Sequence, residues 1–131
     1  MKHVILSIIL IGLAMGCGPT EPPLYPVQGK VTLDGSPVEK GLIRFAPVNG
    51  EAPAGAEIKG GQYSLKVVAG ESRVEITAPV VIGKRKAYDT PDSPMIDMIK
   101  ESIPDKFNTR SELKYKVEPK TNSQDFALKG K

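Results

Sequence analysis

The stretch VQGKVTLDGSPVEKGLIRF, residues 27–45, constrains the fold more than any other part of the chain. Val27, Gly29, Val31 and Leu33 fall on one face of an extended backbone, and Gln28, Lys30 and Thr32 fall on the other. That period of two marks a half-buried strand and excludes an amphipathic helix over the same residues. Asp34-Gly35 follows at once and suits the positive φ of a tight reversal. Pro37 presets its own φ, and Gly41 gives a second pliable point before Leu42-Ile43-Arg44-Phe45 returns. The reading is strand, turn, strand.

The same grammar continues downstream. Residues 46–55 form a loop rich in Pro, Gly and Ala, with a polar tip at Asn49-Gly50-Glu51, and Ala56-Glu57-Ile58-Lys59 makes a short strand. Gly60-Gly61 is a strong hairpin signal. Tyr63, Leu65 and Val67 then alternate inward, and Ala69-Gly70-Glu71 turns the chain. Val74 and Ile76 point inward on the next strand, which stops near Pro79. Near the end, Leu113, Tyr115 and Val117 face in, and Phe126 and Leu128 face in after a turn at residues 120–123. Reversals every eight to twelve residues or so with alternating strands between them indicate a β-sandwich. The 131 residues suffice for one domain, and 13 Gly with 12 Pro are too many for a helical bundle. The net charge of +3 is spread along the chain, so no nucleic-acid footprint is expected.

The amino terminus reads as an address. Met1-Lys2-His3 is followed by the apolar run Val4–Met15. At about 1.5 Å per residue, a helix of that run is too short for a hydrocarbon core of about 30 Å, which fits a secretory signal helix rather than a spanning one. Cys17, the only cysteine, has no internal disulfide partner. Leu13-Ala14-Met15-Gly16-Cys17 resembles the lipobox of bacterial lipoproteins, with Gly just before the cysteine and the branched Leu one place earlier than usual. The resemblance implies a signal peptide over residues 1–16, lipidation of Cys17, and localisation as an exported protein anchored in the bacterial cell envelope, at the outer membrane or the periplasmic face. Residues 17–26 would then be the lipidated cysteine and a proline-rich, polyproline-like spacer, with the β-sandwich domain at 27–131.

The alternation lapses over an insertion at about 80–112. Ser93-Pro94 reads as an N-cap with proline at the first helical position, and Ile96, Ile99 and Ile103 recur at helical spacing up to Pro104. The insertion is therefore expected to be a long loop carrying one short helix, with Met95 and Met98 padding that helix against the sandwich.

Across residues 27–128 several fragments resemble one family in combination. They are Val27-x-Gly29-x-Val31, Asp34-Gly35-x-Pro37-Val38, Gly41-x-Ile43-x-Phe45-x-Pro47, Gly61-x-Tyr63-x-Leu65 and Gly70. They are similar to the carboxypeptidase regulatory-like domain, and more narrowly to small bacterial envelope lipoproteins carrying it. Ile103-Pro104-x-Lys106-Phe107-Asn108-x-x-Ser111-x-Leu113, with Asn122 and Phe126, resembles the C-terminal part of that lipoprotein group. The resemblance implies a seven-stranded Greek-key sandwich of transthyretin-like (prealbumin-like) type and a mostly accessory, stabilising or adhesive role.

Little in the sequence suggests catalysis. The single histidine, His3, lies in the expected signal, leaving no imidazole in the mature domain, no Ser-His-Asp arrangement and no zinc ligand set. No cofactor and no metal are expected. Asp89, Asp92 and Asp97 lack the dense spacing of a calcium loop and read as solvated carboxylates. Lys84-Arg85-Lys86 and Tyr88 are candidate ligand-binding residues of the insertion, facing anionic headgroups or a partner, against a plainer reading as a solvated loop. Asn108 is a candidate for lining a ligand groove, and with Ser111 it also reads as a residue fixing the local backbone. The functional expectation is a membrane-anchored, non-enzymatic binding or structural module. A carbohydrate- or peptide-binding module acting through the insertion is the alternative, and a cryptic hydrolase is a third. The membrane, through acylated Cys17, and an envelope protein or glycan are the expected partners.

Overall fold

A computed structural model describes residues 16, 18 and 21–130. The expected signal helix and Cys17 fall outside these residues. The described chain is all-β, as expected, with a single 3-10 turn at Asp105–Phe107 as its only helical element. Its strands are β1 (Leu24–Leu33), β2 (Ser36–Pro37), β3 (Lys40–Pro47), β4 (Ala54–Lys59), β5 (Gln62–Val68) and β6 (Gly70–Thr77). There follow β7 (Pro79–Lys86), β8 (Met95–Glu101), β9 (Lys114–Val117), β10 (Asn122–Ser123) and β11 (Phe126–Leu128).

The body's nine strands form one continuous hydrogen-bonded sheet, two strands more than the expected seven, which folds over into two layers. One holds β1 between β5, which is antiparallel to it, and the parallel pair β10 and β11. The other runs β4-β3-β6-β9, antiparallel throughout. The layers join through the tight turn at Gly60-Gly61, where only Lys59 and Gln62 pair between β4 and β5. Both glycines have positive φ, as do Asp34 and Gly35 at the β1–β2 turn, so both reversals read from the sequence are present.

The inward set follows the period-two reading. Val27, Val31, Ile43, Phe45, Ile58, Tyr63, Val67, Val74, Ile76 and Val117 are all buried. Phe45 is fully buried at the centre, with its ring centroid 6.3 Å from Tyr63, 6.3 Å from Phe126 and 6.4 Å from Tyr115. These rings come from four strands in both layers, so one aromatic cluster closes the core. Gly29 shows why a gap in the apolar pattern is needed. A Cβ there would lie 1.9 Å from the Gln124 carbonyl oxygen, which instead accepts the Tyr63 hydroxyl proton at 2.5 Å. Asn122 is buried and organises the last turn. Its amide donates to Lys120 O (2.8 Å) and Pro26 O (3.3 Å), and its oxygen accepts from Glu118 N–H (3.0 Å).

Two boundaries differ from the sequence reading. β1 starts at Leu24, inside the expected spacer, and pairs Leu24–Pro26 with Lys66–Val68. Polyproline and strand dihedrals are neighbours, so the proline segment passes into the ladder without a break. The second difference is larger: no helix forms between residues 93 and 103. Residues 79–101 are instead a β-hairpin arm, β7 against β8, hydrogen-bonded to neither layer of the body. Ile96 and Ile99 fall on opposite faces of β8, and Ile103 lies beyond it in the core. Met95 and Met98 do not pad a helix; both are exposed on the arm. Ser93 caps nothing: its hydroxyl oxygen accepts the Tyr88 N–H at 2.7 Å and closes the arm's tip.

Candidate functional site

The arm leaves and rejoins the body at a tightly made root. Ala78 and Ile103 are buried in the core on either side of it. Between them the Glu101 carboxylate accepts the backbone N–H of Ala78 (2.6 Å) and of Ile103 (2.9 Å), while Ser102 Oγ donates to Ala78 O (2.6 Å). One carboxylate thus ties together the two chain ends where the hairpin departs. Gly41 makes room beside this point, since a Cβ there would stand 2.4 Å from the Thr77 carbonyl oxygen.

Beyond the root the arm has little cover. Val80, Val81, Ile82, Met98 and Ile99 are all substantially exposed, Ile99 to 66 %. Val81 pairs with Ile99 and Gly83 with Met98, leaving Ile82 as a bulge. Side chains alternate along β8, so Met95 and Ile99 lie on one face and Ile96 and Met98 on the other. Both faces are therefore apolar, which explains why no period-two signal was visible there. An isolated two-stranded hairpin is marginal in water, and exposed apolar patches of this kind are uncommon on monomeric soluble domains.

A groove of about 980 Å³ opens between the arm's root and the body. Val80, Val81 and Ile99 form its arm side, and Pro37, Val38 and Leu42 its body side. Leu42 is an outward residue of β3 and is half exposed. Glu39, Lys40, Glu57 and Lys59 also line the groove.

The residues singled out from the sequence divide between two places. Lys84, Arg85 and Lys86 occupy the outer half of β7, paired with Asp97, Ile96 and Met95, and Tyr88 stands 68 % exposed at the tip. Asn108 is not with them. It is buried beside β6, where its amide donates to Ile103 O (3.0 Å) and its oxygen accepts Thr109 N–H (2.5 Å). Ser111 donates to the Val74 carbonyl and accepts from Leu113 N–H at 3.2 Å. Arg73, which sequence reasoning passed over, holds the same segment through Ser111 O (2.9 Å) and Thr109 O (3.1 Å). Its only sequence signal was a charge on a strand beside an inward-facing valine. Asp89 and Asp92 sit in the tip loop and Asp97 on β8; among the described residues no three His, Cys, Asp or Glu side chains gather as a metal set.

The arm and the chain's entry lie at opposite poles. β1 runs from Leu24, beside Val68, to Leu33, beside Ser36. β6 runs from Gly70 to Thr77, beside Leu42, and the arm begins directly after it. At about 3.3 Å per residue, these strands separate the start of β1 from the arm's root by roughly 25 Å.

No protein-family profile matches the chain, and no curated protein matches it. Among solved structures the chain is similar to a part of a 9R-lipoxygenase from Cyanothece PCC8801, with 8 % identity and a TM-score of 0.33. That alignment covers 86 % of this chain and 18 % of the lipoxygenase. So distant a likeness carries no argument about fold or activity.

Proposed function

We propose that this chain is an exported bacterial lipoprotein, held in the cell envelope by acyl chains on Cys17, whose β domain is a non-enzymatic binding module with the arm as its contact surface. The observation that carries the binding reading is the apolar, two-faced arm at the pole away from the chain's entry. A domain anchored through its N-terminal spacer would present that pole outward, toward other envelope components. The fold reading within this proposal is a transthyretin-like Greek-key sandwich. It is supported by two facing layers, a central aromatic cluster, and an N-terminal strand flanked by the C-terminal ones. The non-enzymatic reading draws on the lack of any histidine after His3 and of any cysteine besides Cys17.

Intact mass and membrane partitioning, measured on the wild type beside Cys17→Ser, test the anchor. Each buried methylene contributes about 0.8 kcal/mol, so a multiply acylated chain partitions firmly with membranes. The expected result is a wild-type mass carrying acyl chains and a variant that is unmodified and released. An unmodified wild-type Cys17 in a freely soluble product overturns the lipoprotein reading.

A further inference from the structure

We propose that the open edge of β8 is a strand-addition site. It takes an extended segment of a different protein that carries two opposite charges three residues apart, with apolar residues between them. This rests on the reading of the arm as the contact surface and names its partner.

β8 pairs with β7 alone, so its other edge turns the N–H and C=O groups of alternate residues to solvent. All seven of its residues, MIDMIKE, are exposed, and no proline, glycine or bulge interrupts them. The other edge of the arm is poorer: β7 begins at Pro79, bulges at Ile82 and ends in Lys84-Arg85-Lys86. On the body, β9 is four residues long with two lysines, and β10 and β11 are two and three residues long. The bare backbone of β8 also decides against lipid, because an open sheet edge in hydrocarbon leaves its polar groups without partners. A flat protein surface covers one face and leaves that edge bare. An extended segment pairs the edge and lays its own side chains beside both apolar faces.

The charges on β8 say which segment. Asp97 lies on one face with Met95 and Ile99, and Lys100 lies on the other with Ile96 and Met98. Among the described residues neither takes part in an ion pair, whereas Glu101 is committed to the root clasp. A second copy of the chain does not satisfy them. Two open β8 edges meet about a two-fold axis normal to the sheet, which sets odd-numbered residues opposite odd and even opposite even. Asp97 then faces itself, Glu101 or an uncharged residue, and never Lys100. A copy turned over to match the charges presents the edge that β7 already occupies. A foreign segment has no such constraint. Running antiparallel, it sets an acidic residue beside Lys100, two apolar residues beside Ile99 and Met98, and a basic residue beside Asp97. Running parallel, it carries the same pair in reverse order. Opposite charges directly across strands stabilise the pairing and like charges weaken it.

The test titrates a synthetic peptide, Thr-Glu-Val-Ile-Lys-Val-Thr, to millimolar concentration into the isotope-labelled full chain in detergent, following amide signals. The expected result is saturable shifts and slowed amide exchange in β8, with β3 and β5 unmoved. Replacing the peptide's Glu with Lys should weaken binding about five-fold, and Lys100→Glu in the protein should reverse the preference between the two peptides. Lys100 is exposed and stands across from Val80, so the melting midpoint of this variant should match the wild type. Should the variant nevertheless misfold, the two peptides on the wild type still decide. Equal affinity for both, or no binding at β8, overturns strand addition. A photo-crosslinking residue in place of Met98, in the full chain in its own membrane, tells that failure from failure of the arm as a contact surface. An adduct within an extended segment bearing the charge pair supports the proposal. An adduct to a second copy, to lipid or to the folded face of another protein overturns strand addition and leaves the arm a contact surface. No adduct at all overturns both. Acylation of Cys17 is read separately by mass, so failure of the anchor is not confused with either.

Discussion

The body and the arm are built from the same residue types to opposite effect. Val74 and Ile76 on β6 are fully buried; Val80, Val81 and Ile82, only a few residues later in the same chain, are exposed. The body alternates apolar with polar residues and has a second layer to receive the apolar side. The arm places three branched residues in succession, so both faces of its inner half are apolar, and no second layer among the described residues covers it. The difference teaches that apolar content alone does not mark a core. Alternation tells how many faces a strand expects to bury, and a run without it asks for cover on both.

The contrast can be broken most sharply by truncation. Phe45→Ala should lower the stability of the domain by about 3–5 kcal/mol, because Phe45 is fully buried among three other rings. Ile99→Ala should change it by no more than about 0.5 kcal/mol in the monomeric domain. Denaturant midpoints decide this, and similar losses at both positions would mean that the arm is part of the core.

High pH offers a second separation. Burial, with smaller contributions from Tyr115 and Asp125, pushes the Tyr63 hydroxyl well above the ordinary tyrosine value of about 10. The folded state therefore keeps the proton that the unfolded state releases. The sign follows: this contribution to stability is fully present below pH of about 10 and is lost as pH rises above it, by at most about 1.4 kcal/mol per unit for the one proton. Melts from neutral to alkaline pH should show this slope, and Tyr63→Phe should flatten it. An unchanged slope in that variant would assign alkaline loss to other groups.

The smallest effect concerns the join between the regions. Glu101→Gln keeps the shape of the clasp but removes the charge that strengthens two hydrogen bonds to Ala78 and Ile103. A loss of about 1 kcal/mol is expected, felt locally. Amide exchange in β7 and β8 should quicken while that of β3 and β5 holds. Uniform quickening would show that arm and body open as one unit.

The body was legible because its physics is local. Pairs such as Asp34-Gly35 and Gly60-Gly61 announce their own reversals, and Val27, Val31, Tyr63, Leu65 and Val67 announce a buried side. The arm was not, for a physical reason. Ile96, Ile99 and Ile103 fall at helical spacing by coincidence of an exposed strand followed by a core residue, and Ser93-Pro94 imitates a helix start. The better signal was composition, since Val80, Val81, Ile82, Ile96 and Ile99 are β-branched and favour extended backbone. Asn108 was legible as a residue fixing the local backbone, and its amide and oxygen do bond Ile103 O and Thr109 N–H; what the sequence did not reveal is that this segment packs against β6, where Arg73 holds it. The root groove could not be read at all, because Pro37, Leu42 and Ile99 meet only through tertiary contacts.

The place of β1 has a consequence for the order in which the molecule can be assembled. β1 pairs on one side with β10 and β11, strands made about a hundred residues later, and Lys30 N–H meets Asp125 across the same interval. Contacts so distant along the chain are slow to find and are made only after the intervening loop is closed. Until Phe126 and Leu128 emerge, the opening strand has a bare edge and the aromatic cluster lacks one ring. The fold therefore closes only once Phe126 and Leu128 are available to β1, and a chain threaded through a membrane from its amino terminus would remain unlocked until those two residues had passed.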